Sequence, residues 1–244
     1  MLFRSGLAHI GVIRALREAG VPIDLIGGTS MGALIGAQPA LGWDDATMLA
    51  INLKSFVQTK PVTLRDYTVP VYSLIRGRRL EQDLMSRYGD TCIEDLWIGF
   101  FCVSSDLTRA RAKVHRDGPI WKAVRASIAL PGVFEPVVDG KHLLVDGAVL
   151  NNLPADVMRQ LGGGWVIAVD VSPERDLEVR TDRLPEPWKV VLGWLLPFAR
   201  PPEHPNIVDL MMRTTLLGSV EKIDRKSTRL NSSHIQKSRM PSSA

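Results

Sequence analysis

Val21-Pro22-Ile23-Asp24-Leu25-Ile26-Gly27 is an apolar, strand-like run, and Gly28-Thr29-Ser30-Met31-Gly32 follows it directly. Ala33 to Leu41 then continues as a helical stretch of small residues. Strand, G-x-S-x-G and helix in that order make a nucleophile-elbow candidate. A sharp turn lifts one hydroxyl out of the sheet, while the flanking glycines let the backbone turn tightly and leave room for substrate. The bare pentapeptide is a weak signal, and its placement carries the weight.

Outward from that turn the chain alternates between the two periodicities. His9 to Ala19 puts Ile10, Ile13, Ala15, Leu16 and Ala19 on one side of a helix that Gly20 stops. Downstream, Asp44-Asp45 can cap a helix running to about Phe56. Lys60 to Arg76, interrupted by Pro61 and Pro70, reads as an irregular excursion, and Gly77 to Arg87 as a polar amphipathic helix. Trp97 to Ser104 has the unbroken apolarity of a strand buried on both faces. Arg109 to His115 alternates, as a strand with one wet face does.

Pro119 starts a helix to Leu130, and Asp139-Gly140 signals a hairpin between Val137-Val138 and His142 to Val145. Pro154 to Leu161 is a further helix, broken by Gly162-Gly163-Gly164, and Trp165 to Val171 reads as a second fully buried strand. Six prolines between Pro185 and Pro205 surround the apolar stretch Trp188 to Phe198, and a last amphipathic helix is expected over Ile207 to Val220. Strands alternating with helices predict an α/β fold whose sheet is covered on both faces.

A serine hydroxyl needs a base to take its proton before it attacks. A histidine oriented by an acid is the usual arrangement, and in the order Ser-acid-His only His204 follows Asp146 within the part of the chain ahead of residue 224. A carboxylate acting directly is the other route. Asp117-Gly118 and Asp139-Gly140 read as surface turns. Asp146 differs, because it ends the apolar run Leu143-Leu144-Val145 and precedes Gly147-Ala148 and Asn151-Asn152-Leu153-Pro154. An acid at the end of a buried strand, beside small residues, is well placed to serve as a general base.

These blocks carry a resemblance. Gly6-Leu7-Ala8-His9-Ile10-Gly11-Val12, the Gly27 to Gly32 turn, and Asp146-Gly147-Ala148 with Asn151-Asn152-Leu153-Pro154 resemble a patatin-like phospholipase domain, in its neuropathy target esterase branch. Val114 to Gly118, Arg125-Ala126-Ser127 and Val166 to Asp170 extend the similarity over nearly all of Gly6 to Ser172. The resemblance implies a three-layer α/β/α sandwich on a central, mostly parallel sheet. It implies a Ser-Asp dyad in which Ser30 attacks the ester of a phospholipid or lysophospholipid, Asp146 takes the proton, and water releases a fatty acid from an acyl-enzyme.

Gly28, Met31, Gly32 and Gly147 belong to the elbow and its surroundings, and Gly6 to the oxyanion loop. The resemblance implies no metal, and no cofactor is expected. Relatives carry a Gly-rich oxyanion turn just ahead of Gly6, where this chain has Met1-Leu2-Phe3-Arg4-Ser5. A weak or inactive catalyst is therefore expected. Two other functions compete with this one: a general carboxylesterase using a triad through His204, and a silent lipid-binding domain.

The formal charge of +4 does not point to nucleic acid. Residues 224–244 hold five basic side chains against Asp224, which accounts for the whole excess. No basic stripe remains to follow a phosphate backbone. That polar, Ser-rich segment reads as a disordered tail and also resembles the translation of a sequencing adapter, as does Leu2-Phe3-Arg4-Ser5. One catalytic domain over 6–223, truncated at its start, and a non-native tail over 224–244 are the expected organisation.

Cys92 and Cys102 are the only cysteines, which suits a reducing, cytoplasmic compartment. His9 and His115 read as packed or surface residues rather than metal ligands. Trp188 to Phe198, with Trp188 and Trp194, is expected either to cover the core or to make peripheral contact with a membrane.

Overall fold

The computed structural model describes residues 6–55, 73–162, 164–171 and 214. The first helix, α1 (Ala8–Glu18), buries Ile10 and keeps Arg14 and Glu18 paired at 2.7 Å on its wet side. Strand β1 (Leu25–Thr29) starts later than the apolar run suggested and extends through both glycines to the residue before Ser30. Val21 to Asp24 lie outside it, and Val21 is exposed.

Helix α2 (Met31–Ala40) is buried from Ala33 onward, which explains its small side chains. Helix α3 (Asp45–Leu53) is capped by the Asp44 carboxylate, which accepts from the Thr47 N–H at 2.6 Å. The expected irregular excursion contains a short strand, β2 (Ser73–Ile75), and its residues 60–72 lie outside the described residues. Helix α4 (Arg78–Tyr88) follows, and the Tyr88 hydroxyl donates to the Leu34 carbonyl at 2.8 Å, tying α4 to α2.

The central strand is β3 (Gly99–Asp106), buried from Phe100 to Asp106. Trp97, expected to open it, is fully exposed instead. Strand β4 (Arg111–His115), helix α5 (Ile120–Ser127) and strand β5 (Gly132–Phe134) come next. The predicted hairpin forms from β6 (Val137–Asp139) and β7 (His142–Asp146), closed by Gly140 at φ +61°. Helix α6 (Ala155–Leu161) ends at Gly162.

Side-chain alternation along β3 separates two cores. Phe100 and Cys102 pack on the side of α2, α3, α4 and α5. Phe101 and Val103 pack with Val157, Met158 and Leu161 of α6 on the other side. The result is a sheet between two helical layers, the α/β/α class. β1 pairs parallel with β3, and β2 with β5, whereas β4 and β7 run antiparallel to β3.

Trp165 to Val171 is not the buried strand that its composition predicts. The segment belongs to no strand, and Trp165 and Ile167 are exposed. Apolarity records a preference for burial but supplies no pairing edge. In the described residues β1 pairs with β3 alone, and Trp165 to Val171 faces it across a cavity. The apolar stretch 188–198, the helix expected over 207–220, His204 and the 224–244 tail lie outside the described residues, apart from Thr214.

Candidate active site

The register of β3 explains how distant residues meet. Cys102 pairs with both Gly28 and His115, and Ser104 with both Lys113 and Asp146. Strand β4 therefore lies along one edge, and β1 and β7 share the other. β1 runs with β3 and ends opposite Val103; β7 runs against it and ends opposite Ser104. Their C-terminal ends abut, one carrying Thr29-Ser30 and the other Asp146. The Ser30 hydroxyl donates to Asp146 Oδ2 at 2.6 Å across 116 residues of chain.

Ser30 has φ +54° and ψ −120°, a conformation that side chains other than glycine rarely adopt. Holding it costs on the order of 1–3 kcal/mol, so its surroundings must determine it. The Ser30 N–H donates to Ser127 Oγ at 3.0 Å, and Ser127 Oγ donates onward to the Val103 carbonyl at 2.7 Å. Thr29 Oγ1 donates to the Asn151 carbonyl at 2.9 Å, fixing the end of β1 to the loop after β7.

Two glycines permit this approach. A Cβ at Gly28 would lie 2.3 Å from the Gly32 carbonyl carbon, and one at Gly147 would lie 2.2 Å from the Val103 oxygen. Gly32 is different, since a Cβ there meets nothing closer than His9 Nε2 at 3.9 Å. Met31 opens α2 directly after the serine, so its N–H and that of Gly32 belong to the first turn, which lacks intrahelical acceptors. Gly6 packs on Met31 two residues ahead of α1, where a Cβ would sit 2.6 Å from Met31 Cε.

Asp146 is 2% exposed, with its N–H donating to the Ala129 carbonyl at 2.9 Å. Its Oδ1 accepts from the Ala148 N–H at 2.8 Å. Burial pushes its carboxyl up to about 6, against the opposing pull of the hydrogen bonds from Ser30 and Ala148. A carboxylate so placed is a stronger proton acceptor than one in water. Both residues line a cavity of about 910 Å³ whose walls include Val12, Ile13, Leu16, Leu25 and Phe101. An apolar hollow with a hydroxyl–carboxylate pair on its wall can take an acyl chain and present its ester carbonyl to the serine.

Of the residues singled out in the sequence, the structure brings together Ser30, Asp146, Gly28, Met31, Gly32, Gly147 and Gly6. Ser127 and His9 are additions. Ser127 falls in the Arg125-Ala126-Ser127 block, and neither periodicity nor spacing marks it as the elbow's anchor. His9 lines the cavity. His115 behaves as expected of a packed residue, with Nε2 2.8 Å from the buried Ser104 hydroxyl. Among the described residues no cluster of His, Cys, Asp and Glu could hold a metal.

Comparison with known proteins shows the family. A patatin-like phospholipase profile matches residues 3–159, and the chain belongs to that family. It is 36% identical over 228 residues to "Neuropathy target esterase sws" of Drosophila melanogaster, covering 90% of this chain and 16% of the relative. It is 37% identical over 228 residues to "Patatin-like phospholipase domain-containing protein 6" of Homo sapiens, again over 90% and 16%. "Lysophospholipase nte1" of Aspergillus niger is 37% identical over 225 residues, covering 90% of this chain and 15% of the relative. The chain thus spans about a sixth of the length of these relatives.

Proposed function

We propose that this chain is a serine lipid acyl-ester hydrolase acting on phospholipids or lysophospholipids through a Ser30–Asp146 dyad. Asp146 takes the hydroxyl proton as Ser30 Oγ attacks the ester carbonyl. The tetrahedral intermediate collapses by breaking the bond to the alcohol oxygen, which leaves with that proton. Water then attacks the acyl-enzyme, Asp146 takes one of its protons and returns it to Ser30, and the fatty acid departs. The observation that carries this reading is the 2.6 Å contact between Ser30 and a nearly inaccessible carboxylate on an apolar cavity. Relatives bearing the names lysophospholipase and esterase support the substrate class.

The Met31 and Gly32 N–H groups are the oxyanion donors in this scheme. The sequence ahead of Gly6 supplies no Gly-rich turn to complement them. Losing one oxyanion donor lowers turnover by about 10²–10³-fold. Slow turnover is therefore part of the proposal, and a Gly-rich turn restored ahead of Gly6 raises it. The proposal places the chain in the cytoplasm, with peripheral membrane contact through 188–198.

Covalent labelling with a fluorophosphonate, read by mass spectrometry, tests the reading. A single adduct on Ser30, absent from Ser30→Ala and strongly reduced in Asp146→Asn, is expected. Labelling of Ser30 that His204→Ala abolishes and Asp146→Asn preserves would favour the triad. Lipid binding with no adduct, even after the turn is restored, would favour a silent binding domain.

A further inference from the structure

The first turn of α1 lies directly over the first turn of α2. Gly6 packs on Met31, and one helical turn later His9 Nε2 comes 3.9 Å from where a Gly32 side chain would begin. Both contacts fall on the first turn of α2, which follows Ser30 directly. His9 is the one imidazole among the described residues lining the cavity that holds Ser30 and Asp146. Burial holds it below the ordinary histidine range, with Asp170 across the cavity pulling weakly the other way. The ring is therefore neutral near pH 7 and keeps one N–H to donate.

No hydrogen bond within the dyad uses that N–H: Asp146 accepts from Ser30 and from the Ala148 backbone. The other donors beside Ser30 are the backbone N–H groups of Met31 and Gly32, on the helix turn that His9 overlies. We propose that His9 is a catalytic residue, its Nε2–H donating to the oxygen of the reacting acyl carbonyl beside the α2 N-terminus. As Ser30 Oγ bonds to the carbonyl carbon, the C=O π pair moves onto that oxygen, and His9 stabilises the charge without giving up its proton. The inference rests on the hydrolase reading above and adds a side-chain donor to its two backbone donors. It also gives a chain without a Gly-rich turn ahead of Gly6 a third contact to the same oxygen.

The test measures the rate of fluorophosphonate labelling at Ser30, because the phosphoryl oxygen of the probe takes the place of the carbonyl oxygen. His9→Ala and His9→Gln are compared with the unaltered chain, alongside their melting temperatures. The amide nitrogen of Gln sits as far from Cβ as Nε2 does, so it keeps the donor and removes the imidazole. The expected result is labelling about 10²-fold slower in His9→Ala and within a few-fold of the unaltered chain in His9→Gln. Equal rates for His9→Ala and the unaltered chain overturn the inference and leave the hydrolase reading standing. Equal slowing in both variants, with lowered melting temperatures, assigns His9 to packing and overturns it as well. Absence of any adduct in every version, including one with the Gly-rich turn restored, overturns the hydrolase reading and this inference together.

Discussion

Thr29 and Asp146 end two strands that meet end to end on the same edge of β3, opposite Val103 and Ser104. This junction creates the site. A parallel and an antiparallel neighbour share one edge, so both point their last residues at the same place. The acid stays out of water while the serine, one residue past Thr29, faces the cavity. Removing the carboxylate from solvent is what raises its proton affinity.

A dependence of rate on pH follows. Asp146 must be ionised to accept the Ser30 proton, and its carboxyl titrates at about 6 rather than near 3.8. Labelling and ester hydrolysis should rise from pH 5 to 7 with a midpoint near 6. His9, the other titratable group discussed in the cavity, donates a hydrogen bond in either protonation state and adds no second limb under the mechanism above. A pH–rate profile of kcat/KM on a soluble ester checks this. A midpoint near 4 would mean that water reaches the carboxylate freely.

The two outer glycines of the motif should respond oppositely to alanine. At Gly28 the new Cβ runs into the backbone of Gly32 and Ala33, at 2.3 to 2.6 Å, and α2 cannot yield without moving the elbow. Overpacking of this kind costs about 3 kcal/mol. At Gly32 the Cβ has ordinary room and the position lies within a helix. Alanine there should be neutral or stabilising by up to ~1 kcal/mol. Thermal melts of Gly28→Ala and Gly32→Ala decide the matter; equal losses would mean that the tight approach at Gly28 is not the reason for its glycine.

The sequence made the helices legible, because α1, α3, α4 and α6 each combine a periodic apolar face with a cap, a proline or a terminal glycine. Ser30 and Asp146 were also visible from local context, each at the end of an apolar run beside small residues. Their meeting was not, since it depends on the register of three strands. Ser127 escaped notice because its work is to accept one N–H and donate to one carbonyl, which leaves no pattern. The strand expected at Trp165 to Val171 fails for a related reason: composition states what a segment tolerates, not which edge lies within reach.

The stretch Trp188 to Phe198 supports a prediction at the level of sequence. If this stretch is the membrane contact proposed above, Trp188 and Trp194 lie among its aliphatic side chains, and a charge there opposes partition into the headgroup region. Trp194→Asp is expected to reduce co-flotation of the full chain with phosphatidylcholine vesicles by several-fold, without loss of labelling by a soluble fluorophosphonate. Unchanged flotation would remove this segment as the membrane contact.

Burying Asp146 for chemistry should also weaken the fold, and the sign can be worked out. Its carboxyl titrates at about 6 in the folded chain and near 3.8 when unfolded, so the folded state holds its proton more tightly. Below pH 3.8 both states are protonated and the full benefit is present. Stability then falls as pH rises through 6, where the folded protein must ionise a carboxyl with almost no access to water. Raising a carboxyl from 3.8 to about 6 corresponds to a loss of roughly 3 kcal/mol at neutral pH. Asp146→Asn has no charge to bury; its amide oxygen can still accept from the Ala148 N–H, while its NH2 group faces Ser30 and donates to the hydroxyl oxygen. It should be more stable than the unaltered chain at pH 8, by up to that amount, and close to it at pH 4, while losing labelling at Ser30. Urea unfolding at the two pH values gives the comparison. A stability difference that does not change with pH would show that the Asp146 charge is not the source of the penalty.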